Sequence, residues 1–454
     1  METVEFFALV AAVLFCLAVL RRSTSSPAIQ VVGDPAVAQR LVNDAADALT
    51  TRPNDGLLKA LATWTGGPER IESITTAAYG SHWRSLRSNL TAAVLNPSRI
   101  AALAPLHRDA VQDLLAGLSA GAAGEAVVMR EYLDRALFAL AARTCFGDGV
   151  EESRVRALQR VMEDLTQGMD DNVSLDGSTD PRRLRRLLGV FVPLGELVRP
   201  LVAASRARQT AGSYVDSLVD LRVPVNDVDG NGKRALGDDE ILGLVAEFLA
   251  TNWKVVETCI EWTLAHLVIG LEVQKKLRRE VDEAAAAGDA EAWLSEKGLG
   301  DLPYLRAVVL ESLRMHPPSP FVTRGVHDDL ASGGTIGRLR KKLVFLVRDI
   351  GRHGGAWTDP DQFMPERFLP GGEAEDVNHM PGRSEMRMMP FGGGRRFCPG
   401  YSLALVRVKF FLAALVRHFE LAPPSSGVDL AERLAFNNLM KKPLRVRVTR
   451  RTLP

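Results

Sequence analysis

Cysteine is scarce. The 454 residues hold four, Cys16, Cys145, Cys259 and Cys398, scattered with neither the paired spacing of a zinc site nor the framework of a disulfide-stapled domain. That usage fits a reducing compartment. The eight histidines are equally dispersed, which leaves a multi-histidine metal centre without a basis. There is no His-Glu-x-x-His, no phosphate-binding Gly-rich loop and no nucleophile elbow. A net charge of +1 lacks the basic excess that nucleic-acid binding requires. Strand-like runs are few, at 29–32, 342–347 and 444–448, and no repeat recurs. The loop-like stretches 224–237, 284–288 and 370–383 are too short to divide the chain into domains.

What is abundant is apolar, helix-patterned sequence. At 46% hydrophobic the chain can bury a large core. Apolar residues recur at three- and four-residue spacing over 127–146, 239–271 and 403–421, so a mainly α single large domain with many helices and a minor β-sheet region is expected. Residues 6–20 are almost wholly apolar and end at Arg21-Arg22, somewhat short of the ~20 residues of a spanning helix. A cleaved signal peptide would carry its positive charge before the apolar run; here the charge follows it, which places the remainder on the cytosolic side. An endoplasmic-reticulum membrane anchor is favoured over a signal peptide or a buried core helix. Residues 1–24 are then the anchor with a short linker, and 25–454 the body. Asn89-Leu90-Thr91 and Asn172-Val173-Ser174 match the glycosylation sequon, which a cytosolic domain leaves unmodified. Asp227-Val228-Asp229-Gly230-Asn231-Gly232 begins like a calcium loop, but Asp238 stands where a bidentate glutamate belongs and Lys233-Arg234 oppose a cation. It reads as an exposed turn.

The most informative stretch is Phe391-Gly392-Gly393-Gly394-Arg395-Arg396-Phe397-Cys398-Pro399-Gly400. Consecutive glycines let a loop lie flat against something large. A lone cysteine then arrives at the expected N-terminus of a helix, where N–H groups and the helix dipole favour a thiolate. A thiolate so presented suits an axial ligand of haem iron; the bland alternative is a small buried residue near a turn.

Phe391, Gly394, Arg396, Cys398 and Gly400 fill every fixed place of Phe-x-x-Gly-x-Arg-x-Cys-x-Gly, so the chain resembles the cytochrome P-450 family of haem-thiolate monooxygenases, in a plant microsomal form. Other segments follow in the family's order. Glu311-Ser312-Leu313-Arg314 lies on an apolar helix (304–315), and Pro365-Glu366-Arg367-Phe368 resembles the meander; Glu311, Arg314 and Arg367 are thereby implied to form a structural network. Trp83-Arg84-Ser85-Leu86-Arg87 resembles the Trp-x-x-x-Arg helix beside the haem propionates, which implies propionate contacts from Trp83, Arg87 and Arg396, and more weakly Arg324. The resemblance spans roughly residues 35–444. It implies haem b (iron protoporphyrin IX) held through Cys398 in residues 25–454, and electrons from NADPH through a reductase. It also implies insertion of one oxygen atom into a small apolar substrate.

The long helix departs from the family's pattern. That pattern sets glycine before an acid and an alcohol. In the ungapped register Asn252 replaces the glycine, Lys254 the acid and Val255 the threonine. Valine cannot donate a hydrogen bond, a lysine charge is costly beside an apolar pocket and its pKa is expected to fall, and a side chain at 252 crowds the groove. Thr251 and Thr258, each about one turn (~5 Å) from Val255, are the candidate substitutes. Expected pocket contacts are Trp253, Val255, Phe321 and Val322, each equally readable as a core residue. The stretch after Arg22 is also abbreviated relative to the family, and part of the first sheet is expected to be missing. Loss of the acid–alcohol pair leaves two alternatives to monooxygenation open: a haem-thiolate isomerase or dehydratase that needs no oxygen activation, and a haem-binding protein with little turnover.

Overall fold

The computed structural model describes residues 29–453 apart from 54–55, 66–69, 122–124, 176–177, 209–211, 226–231, 288–293, 301, 327–341 and 378–384. The expected anchor (6–20) and most of the calcium-like loop therefore lie outside the described residues. Helices dominate, as the periodicity predicts. Those that build the site are α1 (Pro35–Asp44), α2 (Ser81–Leu90), α3 (Ala104–Gly121), α4 (Met129–Phe146), α5 (Glu152–Asn172), α6 (Asp238–Ile269), α7 (Pro303–Met315) and α8 (Tyr401–His418).

Local chemistry sets the ends of these helices. Asp34 caps α1 by accepting from the Val37 N–H, with Pro35 at the first helical position, where its missing N–H costs nothing. The 32-residue α6 carries Asp238, Asp239 and Glu240 in its first turn, complementary to the positive end of the helix dipole, and ends at Gly270. It crosses the whole molecule and buries Trp253, Ile260, Trp262 and Leu264 completely.

The sheets are small. Strand β1 (Ile29–Val32) runs parallel to Lys342–Phe345, which pairs antiparallel with Val322–Gly325. A second sheet joins Ala126–Val128, Arg445–Arg450 and Phe419–Ala422, all antiparallel. This pairing explains two differences from the periodicity. The helix expected over 127–146 begins at Met129, because residues 126–128 pair with the C-terminal strand. The helix expected over 403–421 stops at His418, because 419–422 pair with the same strand. Both runs are apolar enough to read as helix, and strand partners more than 300 residues away decide otherwise for the first.

Candidate functional site

Cys398 opens into a cavity of about 400 Å³ enclosed by α2, α6, α8, residues 318–324 and residues 390–400. The loop that presents it turns back on itself. The Cys398 N–H donates to the Phe391 carbonyl (3.0 Å) and the Phe397 N–H to that of Gly394 (3.0 Å). Gly392 and Gly394 hold φ of +73° and +70°, a region that side chains rarely adopt. Phe391, Arg396, Cys398 and Gly400 line the cavity, whereas Gly394 faces α1 instead, with Val42 and Leu49 around it. Burial pushes the Cys398 thiol up; the Gly400 N–H, Arg87 and Arg52 oppose this without reversing it.

Arg407 and four further guanidinium groups, those of Arg52, Arg87, Arg324 and Arg396, border the same cavity. None is within ion-pair distance of a carboxylate among the described residues. Arg396 donates to the carbonyls of Thr50 (2.5 Å), Ala77 (2.6 Å) and Ile74 (3.2 Å). Arg324 donates to those of Thr323 (3.0 Å) and Gly393 (3.3 Å). Arg52 donates one nitrogen to the Thr323 carbonyl (3.1 Å), while its buried Nε has no acceptor. Arg87 and Arg396 both lie against the Trp83 ring, 5.2 and 5.1 Å from its centroid. Trp83 gives its indole N–H to the Ile74 carbonyl (3.0 Å), so it supports the cluster through its ring and has no donor left. Burial, with repulsion from Arg52 and Arg87, pulls Arg396 down to about 10. Arg324 is pulled well below its ordinary value by burial and by Arg52 and Arg396. Buried cations this crowded call for anionic partners. A flat apolar group bearing two carboxylates meets that need, with the Cys398 sulfur against its face, and the residues present therefore fit a haem.

Along α6 the cavity face follows helical spacing: Phe248, Asn252, Val255, Val256 and Cys259 line it. This corrects two expectations. Trp253, one residue and ~100° on from Asn252, faces α4: it is wholly buried, packs edge-on to Phe138 and donates to Asp134 (2.7 Å). Thr258 falls at the margin of the stripe, is wholly buried, and donates to the carbonyl of Lys254 (2.8 Å). Thr251, Val255, Phe321 and Val322 do line the cavity. The Thr251 hydroxyl is given to the Glu247 carbonyl (2.8 Å).

Lys254 points neither into the cavity nor to water. It pairs with Glu257 (2.8 Å) and Asp134 (3.4 Å), beside the pair of Arg130 with Glu261 (2.5 Å). Burial lowers its pKa, but Glu257 and Asp134 raise it by more, so it stays charged, the reverse of the expected fall. Three carboxylates share two cations in this buried cluster. Burial and the Glu257 charge push Asp134 up to about 7, and Glu261 likewise to about 7. The folded protein therefore binds protons more tightly than the unfolded chain, whose carboxyls titrate near ~4. The contribution of these groups to stability is greatest at acid pH and is lost as pH rises from about 4 through about 7. Asp134→Asn keeps an acceptor for Trp253 and removes one titrating group. Its melting temperature should fall less between pH 5 and pH 8 than that of the parent; equal falls would contradict the assignment.

Away from the cavity, Glu311 accepts from Arg314 (2.7 and 2.8 Å), from Arg367 (3.3 Å) and from the Met364 N–H (2.8 Å), all buried. This brings together the three residues of the implied network, between α7 and the 365–368 turn.

Three residues of the site carry no sequence signal of their own. Arg52 sits beside a bridge from Thr51 to Gly325. Glu247 accepts from Ser73 (3.1 Å), Ile74 (3.0 Å) and Thr75 (2.7 Å), fixing the loop whose carbonyls orient Arg396 and Trp83. Arg407, on α8, reaches across to α6.

A thiol loop, buried guanidinium groups and a long helix across one cavity define a haem-thiolate class of fold. The family model for Cytochrome P450 matches residues 18–450, and the chain belongs to that family. It is 34% identical over 390 residues to Cytochrome P450 89A9 of Arabidopsis thaliana, covering 83% of this chain and 76% of that protein. It is 31% identical to Cytochrome P450 78A11 of Oryza sativa subsp. japonica, covering 84% and 71%. In fold it is similar to a zebra fish cytochrome P450 solved with progesterone (TM-score 0.76, 20% identity, 94% of each chain). A retinoic acid-bound cyanobacterial CYP120A1 is comparably similar (TM-score 0.75, 20% identity, 93% and 89%).

Proposed function

We propose that this chain is a haem b monooxygenase that inserts one oxygen atom into a small apolar substrate, drawing electrons from NADPH through a reductase. The observation that carries this reading is Cys398 facing a cavity bordered by Arg52, Arg87, Arg324 and Arg396, none of them ion-paired with a carboxylate among the described residues. Cys398 would hold the iron, with Phe391 and Gly400 beside it and Gly394 shaping the loop. Arg52, Arg87, Arg324 and Arg396, backed by Trp83, would hold the propionates. Bound haem would supply oxygen activation. Val255, Phe321 and Val322 exclude water and orient an apolar substrate against α6. Glu311, Arg314 and Arg367 keep the haem side of the core rigid. Residues 1–24 would anchor the chain in the endoplasmic-reticulum membrane, with 25–454 as a cytosolic haem-thiolate catalytic domain.

A second reading has its own support. Val255 offers no donor, and the Thr251 and Thr258 hydroxyls are given to their own helix, which favours haem-thiolate isomerase or dehydratase chemistry that needs no oxygen activation. Reconstitution with haem, reductase and NADPH separates the two. Oxygenated product that requires NADPH and O2 supports the first. Turnover of a fatty-acid hydroperoxide without NADPH supports the second.

A further inference from the structure

Arg407 is wholly buried on α8 and has no carboxylate partner among the described residues. Its bonds go to neutral acceptors: the Asn252 side-chain oxygen, the Asn252 carbonyl (3.2 Å), Thr144 Oγ1 (3.0 Å) and His107 Nε2 (3.3 Å). His107 is held neutral by burial and by Arg407, so its Nε2 is free to accept. Placing an unpaired cation here is expensive, and an aliphatic side chain would fill the space at less cost.

A guanidinium can only donate. The end of the Asn252 amide that faces Arg407 is therefore the oxygen, and the orientation of the amide is fixed. Its Nδ2 hydrogens are turned to the other side, and no described residue accepts from them. Asn252 lines the cavity on the same stripe as Val255, Val256 and Cys259. Val255 has no donor, and the hydroxyls of Thr251 and Thr258 are given to backbone carbonyls.

We propose that Asn252 Nδ2 is the hydrogen-bond donor of the α6 wall of the cavity, and that Arg407 is a positioning residue that orients it. The donor would serve an oxygen acceptor on a small ligand or substrate, about one helical turn (~4.5 Å) from Val255, where the family's alcohol is lost. The side chain at 252, which the sequence suggests should crowd the groove, is instead drawn toward α8 by Arg407. This inference rests on the haem reading given above.

Carbon monoxide added to the reduced, haem-loaded protein is the probe, read by its infrared C–O stretch. A donor aimed at the outer oxygen draws electron density from that bond and lowers its frequency. Asn252→Leu should move the band to higher frequency. Arg407→Leu should move it the same way, with no additive shift in the double variant, because both act through one amide. Asn252→Gly should match Asn252→Leu. Equal haem content and melting temperature guard against misfolding, and if Arg407→Leu does not fold, the two Asn252 variants decide the donor and Arg407→Lys decides the positioning. Haem-loaded variants at Asn252 with an unshifted band overturn this inference alone. A shift at 252 with none at 407 overturns the positioning role. A parent protein that takes up no haem overturns the proposed function and this inference with it.

Discussion

Glu311→Ala should destabilise the folded protein by about 3–5 kcal/mol, the usual cost of breaking a buried ion pair from one side. The variant leaves Arg314 and Arg367 buried without the carboxylate that both contact. Neither side chain can reach water by rotating, because Arg314 is also fixed to the carbonyls of Gly351 (2.9 Å) and Pro360 (2.7 Å). Arg367 is likewise fixed to the Asp359 carbonyl (2.7 Å) and paired with Glu373. Glu311→Gln retains an acceptor and should lose less. The midpoint of urea unfolding at constant slope measures both. A change under about 0.5 kcal/mol for the alanine variant, the range of ordinary surface substitutions, would show that the network does not hold this part of the core.

The second large effect separates two changes that the sequence presents together. Val255→Thr places a hydroxyl on the cavity stripe beside Asn252, Val256 and Cys259. Product formed per NADPH consumed should rise by about tenfold, below the ~10²–10⁴ range for a general acid, since Asn252 already supplies a donor. The gain should be larger in an Asn252→Leu background. Lys254→Asp should do the opposite of what restoring the family's acid suggests. Position 254 faces Asp134 and Glu257, not the cavity. A fourth carboxylate there would leave Arg130 as the remaining cation of the cluster and weaken folding. Activity that rises with Lys254→Asp and not with Val255→Thr would contradict this placement of α6.

Much of this architecture was legible in the residues because its signals are local. The Cys398 loop, the Glu311–Arg314 spacing and Trp83 with Arg87 are each complete within ten residues; Cys398, Trp83 and Arg87 line one cavity, and Glu311 pairs with Arg314. What was not legible depends on rotation and on distant partners. Thr258 was assigned from its offset of about one turn from Val255 and Trp253 from the resemblance, yet one residue along a helix turns ~100°, which sends Trp253 to Asp134 instead of the cavity. The pKa of Lys254 was expected to fall beside an apolar pocket, but the carboxylates that raise it include one on a different helix. Arg52, Glu247 and Arg407 lie in unremarkable stretches and gain meaning only where the chain returns on itself. The strand that shortens α4 pairs beside it from more than 300 residues away, whereas its pairing beside α8 is near in sequence.

The carbon monoxide difference spectrum of the reduced, purified, haem-supplied protein tests the central claim most directly. A strongly red-shifted Soret band, lost in Cys398→Ala, is the predicted result: haem held through that sulfur in a folded cavity. A soluble, folded protein that shows no such band, or one that keeps it in Cys398→Ala, would contradict the assignment of Cys398 and of the guanidinium groups around it.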